Sequence, residues 1–226
     1  MVNENVFAES FHRFLVAERE LDNHERKIGV YYPSELVFPC LRSVQLRYLY
    51  PNIKPDFEKL RVFKIGSVIH ELLEKAFAQE KKRFKLLDSE LSVKESFIRE
   101  GYVFQISGRL DCLIRIGKQH YVVDFKTMRS YGKNYIPKST DIQQLTFYLH
   151  ALKLEKGFLV YVDKQDLTFY VEEINYNEEL YQELVQKAFD LHKALKIKVV
   201  LPKNCEAWNG KICSYCTHKS FCEVME

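Results

Sequence analysis

Apolar side chains recur at helical spacing near the start of the chain, at Phe7, Phe11, Phe14, Leu15 and Leu21, and predict an opening helix. The sequence Pro33-Ser34-Glu35-Leu36 breaks that pattern, with Ser34 as a candidate cap for a short helix. Helical spacing returns over residues 41–50 and, for longer, over 57–81. There Val62, Ile65, Ile69, Leu72, Leu73, Ala76 and Phe77 form the expected apolar side. The pattern then becomes extended: residues 91–99, 102–116 and 119–127 are rich in β-branched and aromatic residues and predict strands. A polar loop is expected over 128–138, a helix over 140–154, a buried strand over 158–162 and another strand over 167–174. A last helix runs over 178–195 through Leu180, Leu184, Leu191 and Leu195, and the tail after Pro202 reads as irregular. Strand 119–127, helix 140–154 and strand 158–162 make a βαβ unit, which joins parallel strands, whereas the hairpin before it is antiparallel. The expected fold is α/β, a mixed central sheet flanked by helices, closed by a cysteine-rich tail.

Composition narrows the setting. At 226 residues, 46% hydrophobic and 29% charged, the chain suits one folded domain over residues 1–226. It contains no apolar run near the ~20 residues of a membrane span and opens without a basic-then-apolar leader, so a cytoplasmic protein without membrane contact is expected. The net charge of +3 does not by itself indicate nucleic-acid binding; DNA contact would require a local basic patch.

Two segments carry candidate chemistry, Gly108-Arg109-Leu110-Asp111 and Val122-Val123-Asp124-Phe125-Lys126-Thr127. If Gly117-Lys118 is the hairpin loop, Ile116 pairs with Gln119, and counting outward sets Asp111 opposite Asp124. Lys126 shares that face, and Leu110, Cys112, Ile114, Val123 and Phe125 take the other. Facing carboxylates repel unless a cation lies between them. A divalent ion, Mg²⁺ or Mn²⁺, suits such oxygen ligands; it would activate a water for attack on phosphorus, with Lys126 orienting that water or stabilising charge developing on the phosphate. The alternative is an ion-paired hairpin face with no metal. His70, beside the apolar face of the long helix, is either a boundary residue or a third ligand, and Gly66 one turn earlier suggests a close approach. Gln144 and Tyr148 stand four apart and project from one helix face.

Four of six cysteines lie in the last 22 residues: Cys205, Cys213, Cys216 and Cys222, with Cys40 and Cys112 upstream. This reads as a metal or iron–sulfur site. Zinc would be held locally, drawing on Cys205 and His218, whereas an all-cysteine iron–sulfur cluster would recruit Cys40. Cys112 reads as a small core residue.

The ordered set Gly66-xxx-His70, Gly108-xx-Asp111, Asp124-x-Lys126 and Gln144-xxx-Tyr148 resembles the RecB-like branch of the PD-(D/E)xK nucleases. Adding Cys40 and Cys213-xx-Cys216-xxxxx-Cys222, the chain from about Tyr32 to Cys222 looks like the iron–sulfur nucleases of the CRISPR-associated Cas-four family, with AddB-type nuclease domains as cousins. The resemblance implies metal ligation by His70, Asp111, Asp124 and the Phe125 backbone carbonyl, with Lys126 catalytic. It also implies support from Gln144 and Tyr148. A cluster, [4Fe–4S] rather than [2Fe–2S], would be held by Cys40, Cys213, Cys216 and Cys222 in a subregion of residues 36–50 and 203–226. Its expected activity is exonucleolytic trimming of single-stranded DNA or DNA ends, beside the Cas-one integrase before CRISPR spacer integration. Two features depart from the family: Asp124 stands where Glu is frequent, and Cys205 is an extra cysteine. The catalytic motifs fit a stand-alone repair or viral nuclease equally. The other classes to weigh are a non-catalytic nucleic-acid-binding module and a zinc-stabilised interaction protein.

A DNA path is expected after the catalytic strand, where Arg129, Lys133 and Lys138 interleave with Tyr131 and Tyr135. Cations there would meet phosphates and rings would stack on unpaired bases; the alternative is a solvated loop. The run Lys81-Lys82-Arg83 reads as a helix end whose charges complement the dipole.

Overall fold

The computed structural model describes residues 4–21, 26–53, 57–129 and 134–224. In chain order these form α1 (Glu4–Leu21), β1 (Val30–Tyr31), α2 (Pro33–Leu36), α3 (Leu41–Leu49), α4 (Phe57–Gln79), β2 (Lys85–Arg99), β3 (Tyr102–Ile116), β4 (Gln119–Met128), α5 (Ser139–Leu152), β5 (Lys156–Asp163), β6 (Phe169–Asn175), α6 (Glu178–Ile197), α7 (Ile212–Tyr215) and α8 (Lys219–Val224). The sheet is mixed. Strand β2 runs antiparallel along one edge of β3, while β1 and β4 share the other edge; β1 is parallel to β3 and β4 antiparallel to it. The sheet continues through β5, parallel to β4, and β6, antiparallel to β5. The expected mixed sheet flanked by helices is therefore present, with α5 crossing between the parallel pair β4 and β5.

Local rules account for the connections. The β2–β3 turn places Glu100 at φ 48° and Gly101 at φ 79°, the two positive values that a tight turn matched to strand twist requires. The Asn177 side chain accepts from the Leu180 N–H at 3.0 Å and opens α6. Asn177→Ala should lower stability by about 1 kcal/mol, measured by denaturant unfolding; an unchanged midpoint would mean that water replaces the cap.

Two apolar layers sandwich the sheet. On one side α2, α5 and α6 bury Leu36, Leu145, Leu149, Leu184 and Phe189 against Phe104, Ile106, Leu110, Val122 and Leu159. On the other, Ile69 and Leu73 of α4 pack on Cys112, Ile114, Val123, Phe125 and Val160. Leu110 and Cys112 stand two apart on β3 yet enter different layers, so the strand changes its facing across Asp111. The partner strand is irregular at the same level, where Glu90 has φ 58° and neither Glu90 nor Asp111 has a ladder partner across the β2–β3 pair. The single core face expected for Leu110 and Cys112 is thereby corrected.

Other expectations are corrected too. Strand β2 begins at Lys85 rather than 91, because its first residues are mostly polar and exposed and gain pairing from β3 rather than from an apolar pattern of their own. Ser34 does not cap α2; Tyr32 occupies that position and Pro33 opens the helix, a place suited to a residue without an N–H. On α4, Leu60, Ile69 and Leu73 are buried, but Val62, Ile65 and Leu72 are exposed, because the helix meets the sheet along a narrow stripe. The tail is not wholly irregular, since it contains α7 and α8. No described helix is long and apolar enough to cross a membrane.

Candidate active site

Strand β4 alternates between the two layers, turning Val123 and Phe125 toward α4 and leaving Asp124 and Lys126 on the α5 side. The hairpin register is as counted, with Ile116 paired to Gln119, but the ladder ends at Cys112–Val123. Beyond that point the strands part. Asp111 does not continue the pairing; its Oδ2 accepts from the Phe125 N–H at 2.6 Å, and its Oδ1 lies 3.6 Å from His70 Nδ1. That second distance is too long for a hydrogen bond, so His70 and Asp111 interact electrostatically. Burial lowers the His70 pKa, but Asp111 outweighs it and the net shift is upward.

Asp124 is 2% exposed. Lys126 Nζ is 2.7 Å from its Oδ2, but off the hydrogen-bonding direction, so that buried oxygen has no satisfied hydrogen bond. The contact is charge against charge. Burial raises the Asp124 pKa, Lys126 opposes, and Asp111 adds to the rise. Burial likewise disfavours charge on Lys126, but Asp124 and Asp141 more than compensate and hold it above its ordinary value. The lysine is further restrained by a relay: its Nζ donates to Gln144 Oε1 at 3.1 Å, Gln144 Nε2 donates to the Tyr148 hydroxyl at 3.3 Å, and that hydroxyl donates to the Arg109 carbonyl at 3.1 Å. The relay binds β4, α5 and β3 together at the point where β3 changes facing.

His70 and Asp111 open into a cleft of about 700 Å³. Four charged residues that line it were not foreseen: Glu71, Glu74, Glu90 and Lys164, with Glu74 close to both Glu90 and Asp111. Glu74 is four residues beyond His70 on one helix and could have been found by spacing. Glu90 pairs with Arg109; it lies in the part of β2 that carries no strand pattern. Lys164 reaches the site only through sheet pairing, its N–H bonding Met128 O at 2.9 Å. The close approach expected at Gly66 is ordinary, since an added Cβ would lie 3.6 Å from Thr127 Oγ1. Two other glycines are crowded: at Gly108 a Cβ would lie 2.6 Å from Tyr148 Cε1, and at Gly157 it would lie 2.8 Å from the Val122 carbonyl oxygen.

Of the expected DNA-binding residues, Arg129 follows β4, Tyr135 and Lys138 precede α5, and all three are exposed; Tyr131 and Lys133 lie outside the described residues. Burial lowers the Lys164 pKa, and the charges of Arg129 and Lys138 lower it further, so the three cations are neighbours.

Cys40 precedes α3, Cys213 lies in α7 and Cys222 in α8. With Cys205 and Cys216 they line one cavity of about 260 Å³, walled by Phe38, Leu46 and Ile212. All are free thiols. Cys213 Sγ is 3.2 Å from Cys205 Sγ, a contact that raises its pKa to about 11, and Cys216 Sγ is 3.3 Å from Ser43 Oγ. Arg42 Nη2 donates to Cys222 O and Asn204 Nδ2 to Pro39 O, holding the tail against α3. His218 instead lies 3.3 Å from Tyr50 O and does not line the cavity. Cys112 is fully buried, and burial pushes its thiol up to about 12. Among the described residues no three His, Cys, Asp or Glu side chains converge closely enough to enclose a metal ion.

This sheet, with acidic and lysine side chains at the parting of a hairpin, defines a nuclease class: residues 66–223 match the model of the PD-(D/E)XK nuclease superfamily, and the chain belongs to it. No curated protein matches the sequence. Among solved structures, the chain is similar to the crystal structure of SSO0001, at 21% identity and TM-score 0.70, covering 98% of each chain. It also resembles the alkaline exonuclease LHK-Exo from Laribacter hongkongensis in complex with dAMP, at 12% identity and TM-score 0.50, covering 76% of this chain and 90% of that one. At these identities the likeness concerns the fold.

Proposed function

We propose that the chain is a divalent-metal-dependent DNA nuclease, acting as an exonuclease on single-stranded DNA or DNA ends. The observation that carries this reading is the restrained Lys126 beside Asp124, Asp111 and His70. The donor chemistry fits Mg²⁺ or Mn²⁺. His70 and Asp111 already face each other, and Asp124 keeps a buried oxygen without a hydrogen bond. His70, Asp111, Asp124 and the Phe125 carbonyl would hold the ion, which would polarise the scissile phosphate and favour ionisation of the attacking water. Lys126 contributes a fixed positive charge for the oxygen on which negative charge grows. Gln144 aims that charge, and Tyr148 holds Gln144 by anchoring to the Arg109 carbonyl. The resemblance of LHK-Exo, an alkaline exonuclease, agrees with this reaction class. End-labelled single-stranded DNA should be degraded with Mn²⁺ or Mg²⁺ and left intact in EDTA. Intact DNA in both metals, with folded protein, would leave a non-catalytic nucleic-acid-binding module.

The five-cysteine cavity supports an iron–sulfur cluster on Cys40, Cys213, Cys216 and Cys222, [4Fe–4S] before [2Fe–2S]. The free thiols and apolar walls suit all-cysteine ligation. A zinc site using His218 is less well supported, because that ring faces Tyr50. In this reading the cluster is structural and pins residues 203–226 to residues 36–50 within a single nuclease domain. Cys40→Ser should bleach visible absorbance in anaerobically purified protein and lower the melting temperature; a coloured, equally stable variant would remove Cys40 from the ligand set. Work beside the Cas-one integrase in CRISPR spacer acquisition follows from the family resemblance of the ordered motifs, and co-purification with that integrase tests it against a repair or viral role.

A further inference from the structure

Cys205, the extra cysteine of the tail, has a sulfur neighbour. Cys205 and Cys213 stand eight apart, and the chain between them folds back sharply. Trp208, Asn209 and Gly210 have φ 55°, 56° and 79°, a run of left-handed backbone that reverses the chain. The reversal is closed by three bonds: Gly210 N–H donates to Glu206 O at 3.0 Å, Lys211 N–H to Trp208 O at 3.2 Å and Ile212 N–H to Ala207 O at 3.3 Å. The Trp208 ring packs edge-on against Phe38 and Tyr215, which fixes the loop to the residues before α3. The Cys205 and Cys213 sulfurs are thereby held in contact at 3.2 Å. Cys216 is turned instead to Ser43, 3.3 Å away, and Cys40 is buried. Cys205 is exposed and Cys213 only partly so, so an oxidant in solution reaches Cys205 first and finds a second thiol against it.

We propose that Cys205 is a redox partner of Cys213, and that in the cluster-free chain a peroxide converts the pair to a disulfide that withdraws Cys213 from ligation. The consequence for ligation rests on the iron–sulfur reading above, the disulfide on the thiol pair alone. Peroxide passes one oxygen to the Cys205 thiol, giving its sulfenic acid and one water. The Cys213 sulfur then attacks the Cys205 sulfur. The S–S bond forms as the S–O bond breaks, and the hydroxyl leaves with the Cys213 proton as a second water. Two electrons pass from the thiol pair to one peroxide. The sulfurs need to close only from 3.2 Å to about 2.05 Å, because the backbone has already brought the ends of the loop together. A Cys213 sulfur bonded to iron is not available to Cys205, so the reaction belongs to the cluster-free chain. A dithiol reverses it by exchange.

The full chain, stripped of metal by a chelator and reduced, is treated anaerobically with hydrogen peroxide. Trypsin without reductant separates residues 204–211, which hold Cys205, from residues 212–219, which hold Cys213 and Cys216. Mass spectrometry should find these two peptides joined, with fragmentation placing the bridge at Cys213, and dithiothreitol should release them. Cys205→Ser should give no bridge between them. Cobalt(II), which takes thiolate ligands without reducing a disulfide, then reads the remaining thiols through its charge-transfer absorbance. Peroxide should weaken cobalt binding to wild type by at least about tenfold, since loss of an outer-shell partner alone costs that much in metal affinity. Dithiothreitol, removed before the metal is added, should restore it, and peroxide-treated Cys205→Ser should keep most of its binding. No bridge, a bridge to Cys216, or a bridge that leaves cobalt binding unchanged would overturn the inference. So would reduced Cys205→Ser that binds no cobalt, which would make Cys205 a ligand. A Cys205–Cys213 bridge in a chain whose reduced form gains no visible absorbance with ferrous iron and sulfide would instead sink the cluster reading and leave the disulfide pair standing.

Discussion

Lys126→Met should reduce metal-dependent DNA cleavage by about 10³-fold, the upper range for loss of one preorganised charge donor. Methionine keeps an unbranched stem, so the effect reports the charge. The same change should also destabilise the fold. Lys126 Nζ is 2.7 Å from Asp124 Oδ2, and Asp124 is 2% exposed. Removing the cation leaves a buried carboxylate unpaired, which costs about 3–5 kcal/mol. For a chain of this length that corresponds to a fall in melting temperature of about 6–20 °C. Proton uptake by Asp124 offsets part of it, since burial already raises its pKa. Adding Asp124→Asn to Lys126→Met should recover much of the stability and none of the activity, because neither side chain then carries charge. Cleavage at the wild-type rate in the single variant would remove Lys126 from the chemistry. A double variant no more stable than the single would mean that Asp124 is held by something other than the lysine.

Gly108→Ala should be severe although it adds a single carbon. The new Cβ would lie 2.6 Å from Tyr148 Cε1 and 3.1 and 3.2 Å from Pro33 Cγ and Cδ. The tyrosine is 2% exposed, so it has little room to retreat, and Pro33 sits in the first turn of α2. Overpacking of this kind costs about 1–3 kcal/mol. It should also move the Tyr148 hydroxyl off the Arg109 carbonyl and release Gln144 from its place between Tyr148 and Lys126. A displacement of about 1 Å at a positioning group can lower the rate on the order of 10²-fold. Unfolding and cleavage measured on the same preparation separate the two effects. Tyr148→Phe in the Gly108→Ala background should add little further loss, because the hydroxyl relay is already broken. A fully active, fully stable Gly108→Ala protein would show that Pro33 and Tyr148 yield together.

Much of this was legible in the residues. The period-two pattern over β3 and β4, with Gly117-Lys118 between them, determined the hairpin register and brought Asp111, Asp124 and Lys126 to one end of it. The four-residue spacing of Gln144 and Tyr148 placed both on one side of α5. The helices and the parallel crossover followed from hydrophobic period and length. These features depend on neighbours along the chain, and local sequence encodes them directly.

Tertiary structure decided what depends on distant partners. Strand β2 starts six residues earlier than its own pattern indicates because β3 supplies the pairing. The hairpin ladder ends at Cys112–Val123, so Asp111 turns to the Phe125 N–H and His70 rather than continuing opposite Asp124. Leu110 and Cys112 share a parity but not a layer, since β3 changes facing between α5 and α4. Glu90 and Lys164 enter the cleft, and the crowding falls at Gly108 and Gly157 rather than at Gly66. The five cysteines meet at one cavity only when the tail packs on α3. Period reports which positions share a face, but not what covers that face, and a site assembled from α4, β2, β3, β4 and β5 is set by those contacts.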